Sequence, residues 1–88
     1  MSVSTAATVS VRVLLFASYA EVVGRQSLEL SLPAPATVGA LIRRLRELPG
    51  GAGLPERPLV AVNHAHARPD SPLSERDEIA ILPPLAGG

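Results

Sequence analysis

The sequence contains no cysteine, and this absence excludes several kinds of chemistry at once. Without thiols, the chain forms no disulfide, offers no thiolate nucleophile and binds no iron–sulfur cluster through cysteine. Lysine is absent as well, so all 8 basic residues are arginine. No side-chain amine is therefore available to attack an activated acyl group within the chain.

Aromatic residues and excess charge are also scarce. Phe16 and Tyr19 are the only aromatic residues, and the formal net charge is zero. This balance argues against nucleic-acid binding, which needs a basic stripe and aromatic platforms for stacking. No apolar run is long enough for a signal peptide or a membrane span. We therefore expect a cytoplasmic protein whose residues 1–8 form a disordered extension.

The rest of the sequence is typical of one small folded domain, with 47% hydrophobic and 18% charged residues. Alternation of apolar and polar residues predicts strands, and a helical period after Thr37 predicts an amphipathic helix capped by that threonine. A helical turn is expected over 17–23, ended by Gly24. The expected strands cover 9–16, 27–32, 59–62, 65–68 and 79–82, and the helix covers 38–48. This order predicts an α+β fold with one main helix on a mixed sheet of four to five strands.

One helix covers only one face of such a sheet, which leaves apolar side chains on the other face. These side chains are Leu14, Phe16, Ala80 and Leu82. An uncovered apolar patch is typical of a surface that binds a partner. We therefore predict that Leu14, Phe16 and Leu82 contact a partner protein. The alternative is that the loops over 17–26 and 49–58 fold across this face.

The last strand is followed by a segment that predicts a flexible tail over 83–88, outside the domain over 9–82. Two prolines fix φ and stop the strand, so the chain leaves the sheet as a stiff rod. Two small apolar residues come next, and two glycines without Cβ can then pass through a narrow channel. We expect this tail to be threaded into a partner. Its residues are Pro83, Pro84, Leu85, Ala86, Gly87 and Gly88.

The reactive group of such a tail is the α-carboxylate of Gly88. A carboxylate is a poor electrophile, but ATP can convert it to an acyl-adenylate. A sulfur donor that attacked this adenylate would leave a C-terminal thiocarboxylate. The lack of cysteine and lysine fits this chemistry, since no internal thiol or amine competes for the activated acyl group.

Three stretches of the sequence resemble one known family. They are VRVLLFASYAEVVG near the start, VNH after the third expected strand, and PLSERDEIAILPPLAGG at the end. Together they resemble the small subunit of molybdopterin synthase, the MoaD family of sulfur carriers in the MoaD/ThiS superfamily. The likeness covers residues 11–88. It implies a ubiquitin-like β-grasp fold, which agrees with the expected order of elements.

The resemblance also implies a function in molybdenum cofactor biosynthesis. A ubiquitin-activating-like (MoeB-like) adenylyltransferase would consume ATP to activate Gly88, and a sulfur relay from a cysteine desulfurase would form the thiocarboxylate. The tail would then enter the large synthase subunit (MoaE-like) and give sulfur to cyclic pyranopterin monophosphate. The family's catalytic residues lie on that large subunit. This chain would therefore be a non-catalytic subunit with no permanently bound cofactor and no metal.

Two departures and two alternative functions accompany this resemblance. The family commonly has glycine where this chain has Arg76, and arginine in a left-handed conformation would cost about 1 kcal/mol there. We expect the turn to adjust instead. Residues 1–8 also extend past the family's usual start.

Two alternative functions are considered. They are a ThiS-like carrier for the thiazole of thiamine or for another sulfur pathway, and a ubiquitin-like modifier joined to lysines of target proteins.

The remaining polar candidates are expected to have structural roles. His64 and His66 could share a strand face and bind a metal, but without a third ligand they are more typical of exposed turn residues. Asp77 and Glu78 are adjacent, so on a strand they point to opposite faces and are expected to serve a turn rather than acid–base catalysis. The cluster of Arg43, Arg44 and Arg46 is expected to be a solvated helix face, with docking to an acidic partner as the alternative.

Overall fold

The computed structural model describes residues 7–83, so the first six residues and residues 84–88 lie outside the described part. The described chain contains seven strands, two α-helices and a short 3₁₀ turn over Gly51–Gly53. The strands and helices are β1 (Thr8–Leu15), α1 (Ser18–Val23), β2 (Ser27–Pro33), β3 (Ala36–Thr37), α2 (Val38–Glu47), β4 (Leu59–Val62), β5 (Ala65–His66), β6 (Pro72–Leu73) and β7 (Glu78–Leu82).

Five of the strands form one mixed sheet in the order β2-β1-β7-β4-β5. The central pair β1 and β7 is parallel, with Val13 opposite Ile79, and the other neighbours are antiparallel. The predicted α+β fold, with one main helix on a mixed five-stranded sheet, is therefore confirmed. The two remaining strands, β3 and β6, form a small antiparallel pair that was not predicted. With two residues each, they are too short to show a period in the sequence.

The core lies between α2 and the inner face of the sheet and is almost entirely aliphatic. Alternate residues of β1 and β7 point inward, so Val13, Ile79 and Ile81 are completely buried. Leu41 and Leu45 of α2 meet them from the other side with no exposed surface. Truncating one of these side chains to alanine costs about 2–5 kcal/mol, a large part of the stability of a small domain.

Helix α2 follows the sequence prediction closely. Thr37 has an extended backbone and its Oγ1 accepts a hydrogen bond from the Ala40 amide at 3.3 Å, which is the predicted N-cap. The predicted apolar face is buried through Val38, Leu41, Ile42 and Leu45, with Leu48 partly buried. The helix ends at Glu47, one residue before the predicted end.

The segment after α2 is a compact turn that returns to the helix. Gly50 has φ 82°, a left-handed conformation that favours glycine, and a Cβ on Gly51 would collide with the Leu45 carbonyl oxygen. Arg46 Nε donates to the Leu54 carbonyl at 2.9 Å, and Leu54 is 2% exposed. The expectation that Arg46 belongs to a solvated face is therefore wrong, because its guanidinium fixes this turn.

Other boundaries differ from the prediction by one or two residues. Strand β1 begins at Thr8, inside the predicted extension over 1–8, and ends before Phe16. Strand β5 ends at His66 rather than at residue 68. The predicted helical turn is confirmed as α1, and Gly24 ends it in a left-handed conformation with φ 84°.

The turn before β7 does not adjust to accommodate Arg76, contrary to the expectation. Arg76 has φ 67°, in the left-handed region that glycine favours. Its amide donates to the Ser10 carbonyl at 2.7 Å, and the Glu75 carboxylate accepts from the Ser10 amide at 2.8 Å. These contacts with β1 hold the turn in place, so the backbone keeps the strained conformation.

Candidate functional site: the outer sheet face and the end of the last strand

The apolar part of the outer sheet face is formed by residues that alternate with the core residues of three strands. Leu14 of β1 lies opposite Ala80 of β7, which lies opposite Ala61 of β4. Leu82 lies opposite Leu59 in the next outer row. We call these residues, with Phe16, the apolar outer patch, and it consists of Leu14, Phe16, Leu59, Ala61, Ala80 and Leu82.

Phe16 and Leu59 are the most exposed large side chains of this patch. Phe16 is 44% exposed and Leu59 is 46% exposed. Phe16 follows Leu15, whose partner on β7 is Ile81, so it lies at the same end of the sheet as Leu82. Ala17 then turns the chain into α1 with φ 53°, an unfavourable value for a residue with a Cβ. The backbone thus leaves the strand sharply and the aromatic ring stays accessible.

The two loops over 17–26 and 49–58 do not close over the patch, although Ala17, Ala20 and Gln26 of the first loop line an open cavity of about 590 Å³ beside Leu14 and Phe16. Tyr19 of the first loop and Leu54 of the second are buried in the core cluster. The loops also approach each other, since a Cβ on Gly53 would lie 2.6 Å from Cγ1 of Val22. Phe16 and Leu59 are left uncovered, so the alternative in which these loops bury the face is wrong for both residues.

Leu59 was absent from the predicted patch, although a signal for it exists in the sequence. Val60 is 4% exposed, so Leu59 and Ala61 must point to the opposite face of β4. The alternation alone does not say whether that face is the outer one. Only the antiparallel pairing of β4 with β7, which places Leu59 beside Leu82, joins it to Leu14 and Phe16.

The described chain leaves the sheet beside this patch. Strand β7 lies between β1 and β4, ends at Leu82 and is followed directly by Pro83, as predicted. The exit is therefore at the end of the sheet that carries Phe16 and Leu59. The other predicted tail residues lie outside the described residues, and they are Pro84, Leu85, Ala86, Gly87 and Gly88.

The opposite end of the outer face is charged. Arg12 of β1 has Glu29 of β2 on one side and Glu78 of β7 on the other. Glu75 and Arg76 lie beside them, and these five residues line a groove of about 470 Å³ together with Ser10 and Val11. The face therefore changes along the strands from carboxylate-rich at the start of β7 to apolar at its end.

Asn63 joins the β4–β5 turn to the start of β7, a role that was not predicted. Its Nδ2 donates to Asp77 Oδ1 at 2.9 Å and its Oδ1 accepts from the Glu78 amide at 2.9 Å. Asp77 Oδ2 also accepts from the Ser74 amide at 2.7 Å. Both oxygens of Asp77 accept hydrogen bonds that hold this turn, which supports the predicted turn role.

The two histidines do not share a strand face. His64 is a turn residue with φ 74°, and its Nε2 lies 3.3 Å from Glu78 Oε1, while His66 belongs to β5. Among residues 7–83, no three histidine, aspartate or glutamate side chains are grouped as metal ligands. None of the helices in this range has the length and apolar character needed to cross a membrane.

The fold defines a small ubiquitin-like domain, and comparisons with known proteins specify the family. The ThiS family matches residues 13–88. A molybdopterin synthase sulfur carrier subunit of Dictyostelium discoideum is 38% identical over 81 residues, which are 88% of this chain and 94% of that protein. A protein of the same name from Arabidopsis thaliana is 30% identical over 82 residues, and the match covers 92% of this chain and 85% of that protein.

A solved structure agrees with these sequence matches. The crystal structure of SAMP1 from Haloferax volcanii is 27% identical, with a TM-score of 0.77 over 90% of this chain and 99% of that one. A ubiquitin-like β-grasp fold is thereby confirmed.

The chain belongs to the ThiS family. The resemblance to sulfur carriers of the MoaD type is confirmed by the two named relatives. They are sulfur carrier subunits, so the predictions of a carrier role and of a subunit that is not itself an enzyme are confirmed as well.

Proposed function

We propose that this chain carries sulfur on the α-carboxylate of Gly88 and delivers it to cyclic pyranopterin monophosphate during molybdopterin synthesis. The observation that carries the proposal is the family match, which extends through Gly88. Both named relatives are sulfur carrier subunits of molybdopterin synthase. The geometry supports it, because β7 brings the chain out of the sheet beside an exposed apolar patch.

The proposed loading reaction has two stages. The Gly88 carboxylate attacks the α-phosphate of ATP, which is consumed by a MoeB-like adenylyltransferase, and pyrophosphate leaves. The terminal sulfur of a persulfide, supplied by a relay from a cysteine desulfurase, then displaces AMP and forms an acyl disulfide. A second thiol of the relay cleaves the S–S bond, becomes part of a new disulfide and releases the thiocarboxylate.

The apolar outer patch is the proposed docking surface for the large, MoaE-like synthase subunit. Its exposed side chains Phe16 and Leu59 lie at the end of the sheet where Pro83 begins the tail. A partner that covers this patch would receive the tail directly, because the exit point and the contact surface are adjacent. Large apolar side chains at the centre of such contacts supply much of the binding energy.

The loading reaction is tested by intact-mass measurement. The purified chain is incubated with ATP, the adenylating enzyme and a persulfide source, and a mass increase of one sulfur-for-oxygen exchange is expected. A variant lacking Gly88 should show no increase while its circular dichroism is unchanged, because residue 88 follows the last strand. Sulfur gain at the same rate in the truncated variant would contradict the proposal.

Two other functions have specific support. The name of the matching family favours a ThiS-like role in thiamine synthesis. Genetic loss of the chain separates the two sulfur pathways: our proposal requires lost molybdoenzyme activity with thiamine prototrophy retained. A modifier function is favoured by a solved structure of 26% identity and TM-score 0.71, the small archaeal modifier protein 1 (SAMP1) from Methanosarcina acetivorans. Covalent adducts of protein size in cells, in place of the thiocarboxylate, would identify it.

A further inference from the structure

Helix α2 and the loop over 55–58 enclose a groove on the helix side of the sheet, away from the apolar outer patch. Its deeper part encloses about 200 Å³ and its outer part about 370 Å³. The two parts are continuous, because Gly39, Ile42 and Arg57 line both. We call this feature the helix-side groove.

The floor of the helix-side groove is apolar. Val38 and Ile42 of α2 form one wall, and Val60 of β4 and Ala67 form the other. Val38, Ile42 and Val60 are at most 4% exposed, so they are anchored in the core and present a firm surface. A single aliphatic side chain of a ligand fits a cavity of this size and lining.

The rim of the groove is cationic. Arg43, Arg46 and Arg57 line it, against one carboxylate, Glu56. Arg46 is already engaged with the Leu54 carbonyl at 2.9 Å and lies 3.9 Å from Glu56. Within residues 7–83, Arg43 and Arg57 have neither an ion pair nor a side-chain hydrogen bond. Two guanidinium groups are thus available at the mouth of an apolar cavity.

The start of α2 does not compete for an anion at this groove. The Val38 amide donates to the Ser71 carbonyl at 3.0 Å, and the Gly39 amide donates to the Pro69 carbonyl at 2.8 Å. The Ala40 amide donates to Thr37 Oγ1. Because these three donors are satisfied, an anionic ligand would be held by the arginines rather than by the helix terminus.

The charge of the whole chain is divided in a way that favours an acidic ligand here. Helix α2 and the loop over 55–58 carry four arginines and two carboxylates, although the net charge of the chain is zero. The compensating excess of carboxylates lies on the outer face and its turn, at Glu29, Glu75, Asp77 and Glu78. The positive potential is therefore concentrated around the groove.

We propose that the helix-side groove binds an acidic peptide segment of a partner protein. One aliphatic side chain of the segment occupies the apolar floor, and flanking carboxylates contact Arg43 and Arg57. The apolar floor and the Glu56 carboxylate on the rim disfavour a nucleic-acid backbone. This site lies apart from the proposed large-subunit surface, so both partners can be bound at once.

The proposal is tested by NMR titration of the ¹⁵N-labelled full chain with the blocked pentapeptide EELEE at low salt. We expect amide shifts concentrated around Gly39, Ile42 and Arg57, and smaller responses to EESEE and KKLKK. The double variant Arg43→Glu with Arg57→Glu should weaken binding about tenfold, since two exposed charge contacts are reversed. The affinities of the variants are compared only where the NMR spectrum shows that the variant is folded.

The matched control is the double variant Arg25→Glu with Arg76→Glu, which makes the same change in net charge at two residues that line neither part of the groove and do not belong to α2 or the loop over 55–58. It should bind EELEE as the unchanged chain does, and so should Phe16→Glu on the other face. Equal weakening by both double variants would overturn the proposal, as would shifts elsewhere or no shifts at the highest peptide concentration. Tighter binding of an oligothymidylate than of EELEE would assign the groove to nucleic acid instead.

Discussion

At the scale of single residues, backbone strain is clearest in the turn that precedes β7. Arg76 has φ 67°, and Asn63 and His64 of the neighbouring turn have φ 50° and 74°. Asparagine tolerates this region, and its side chain here bonds Asp77 and the Glu78 amide. Among the described residues the Arg76 side chain makes no hydrogen bond or ion pair, so only backbone contacts with β1 oppose the strain at this residue.

Replacing Arg76 with glycine should therefore stabilise the domain. We expect a gain of about 0.5–1 kcal/mol in the free energy of unfolding, because relief of strain exceeds the added freedom of the unfolded chain. Urea denaturation measures it. Arg76→Ala is the matched control, since it removes the charge but keeps a Cβ at positive φ. An equal gain in both variants would assign the effect to charge rather than to the backbone.

At the scale of elements, the sequence was most informative where a period is repeated several times. The alternation of β1, β2 and β7 and the apolar face of α2 predicted these elements within two residues. The pair β3–β6 and the return of the chain after α2 were not predicted. They depend on contacts distant in sequence, such as Arg46 with the Leu54 carbonyl, which no local pattern records.

The turn after α2 leads to a prediction about glycine. Gly51→Ala should cost about 1–3 kcal/mol, because its Cβ would meet the Leu45 carbonyl and force the turn away from the helix. Gly24→Ala is the control: its Cβ would meet nothing within 4 Å, and only its φ of 84° is unfavourable, at about 1 kcal/mol. Thermal or urea unfolding compares the two. If Gly51→Ala loses no more stability than Gly24→Ala, the turn after α2 adjusts to the added Cβ without a large cost in free energy.

At the scale of the whole molecule, two surfaces of opposite character lie on opposite sides of the sheet. The apolar outer patch was predicted in part, because alternation places Leu14, Ala80 and Leu82 on one face. Leu59 and the helix-side groove were not, since both depend on how β4 and the loop before it pack. The proposed role of Gly88 rests on the sequence after β7 and on family resemblance, and geometry contributes only the position of the exit at Pro83.

Substitutions at the exposed residues of the apolar outer patch test partner binding with little effect on the stability of the fold. Phe16 and Leu59 are 44% and 46% exposed, so Phe16→Glu or Leu59→Glu should lower stability by no more than about 1 kcal/mol. Burying such a charge against an apolar partner without compensation costs at least about 2 kcal/mol, which weakens a complex roughly thirtyfold. Calorimetric titration with the large subunit of a molybdopterin synthase measures the change.

Ser31→Glu is the matched control for these two variants, since it adds the same charge to the outer face on β2, outside the patch. Its affinity should change less than about threefold, because an exposed charge at the polar end of the face is not desolvated. If Phe16→Glu and Leu59→Glu, shown to be folded, bind as tightly as Ser31→Glu, the large subunit docks elsewhere. The exit of β7 beside the patch would then have no bearing on how the tail reaches its partner.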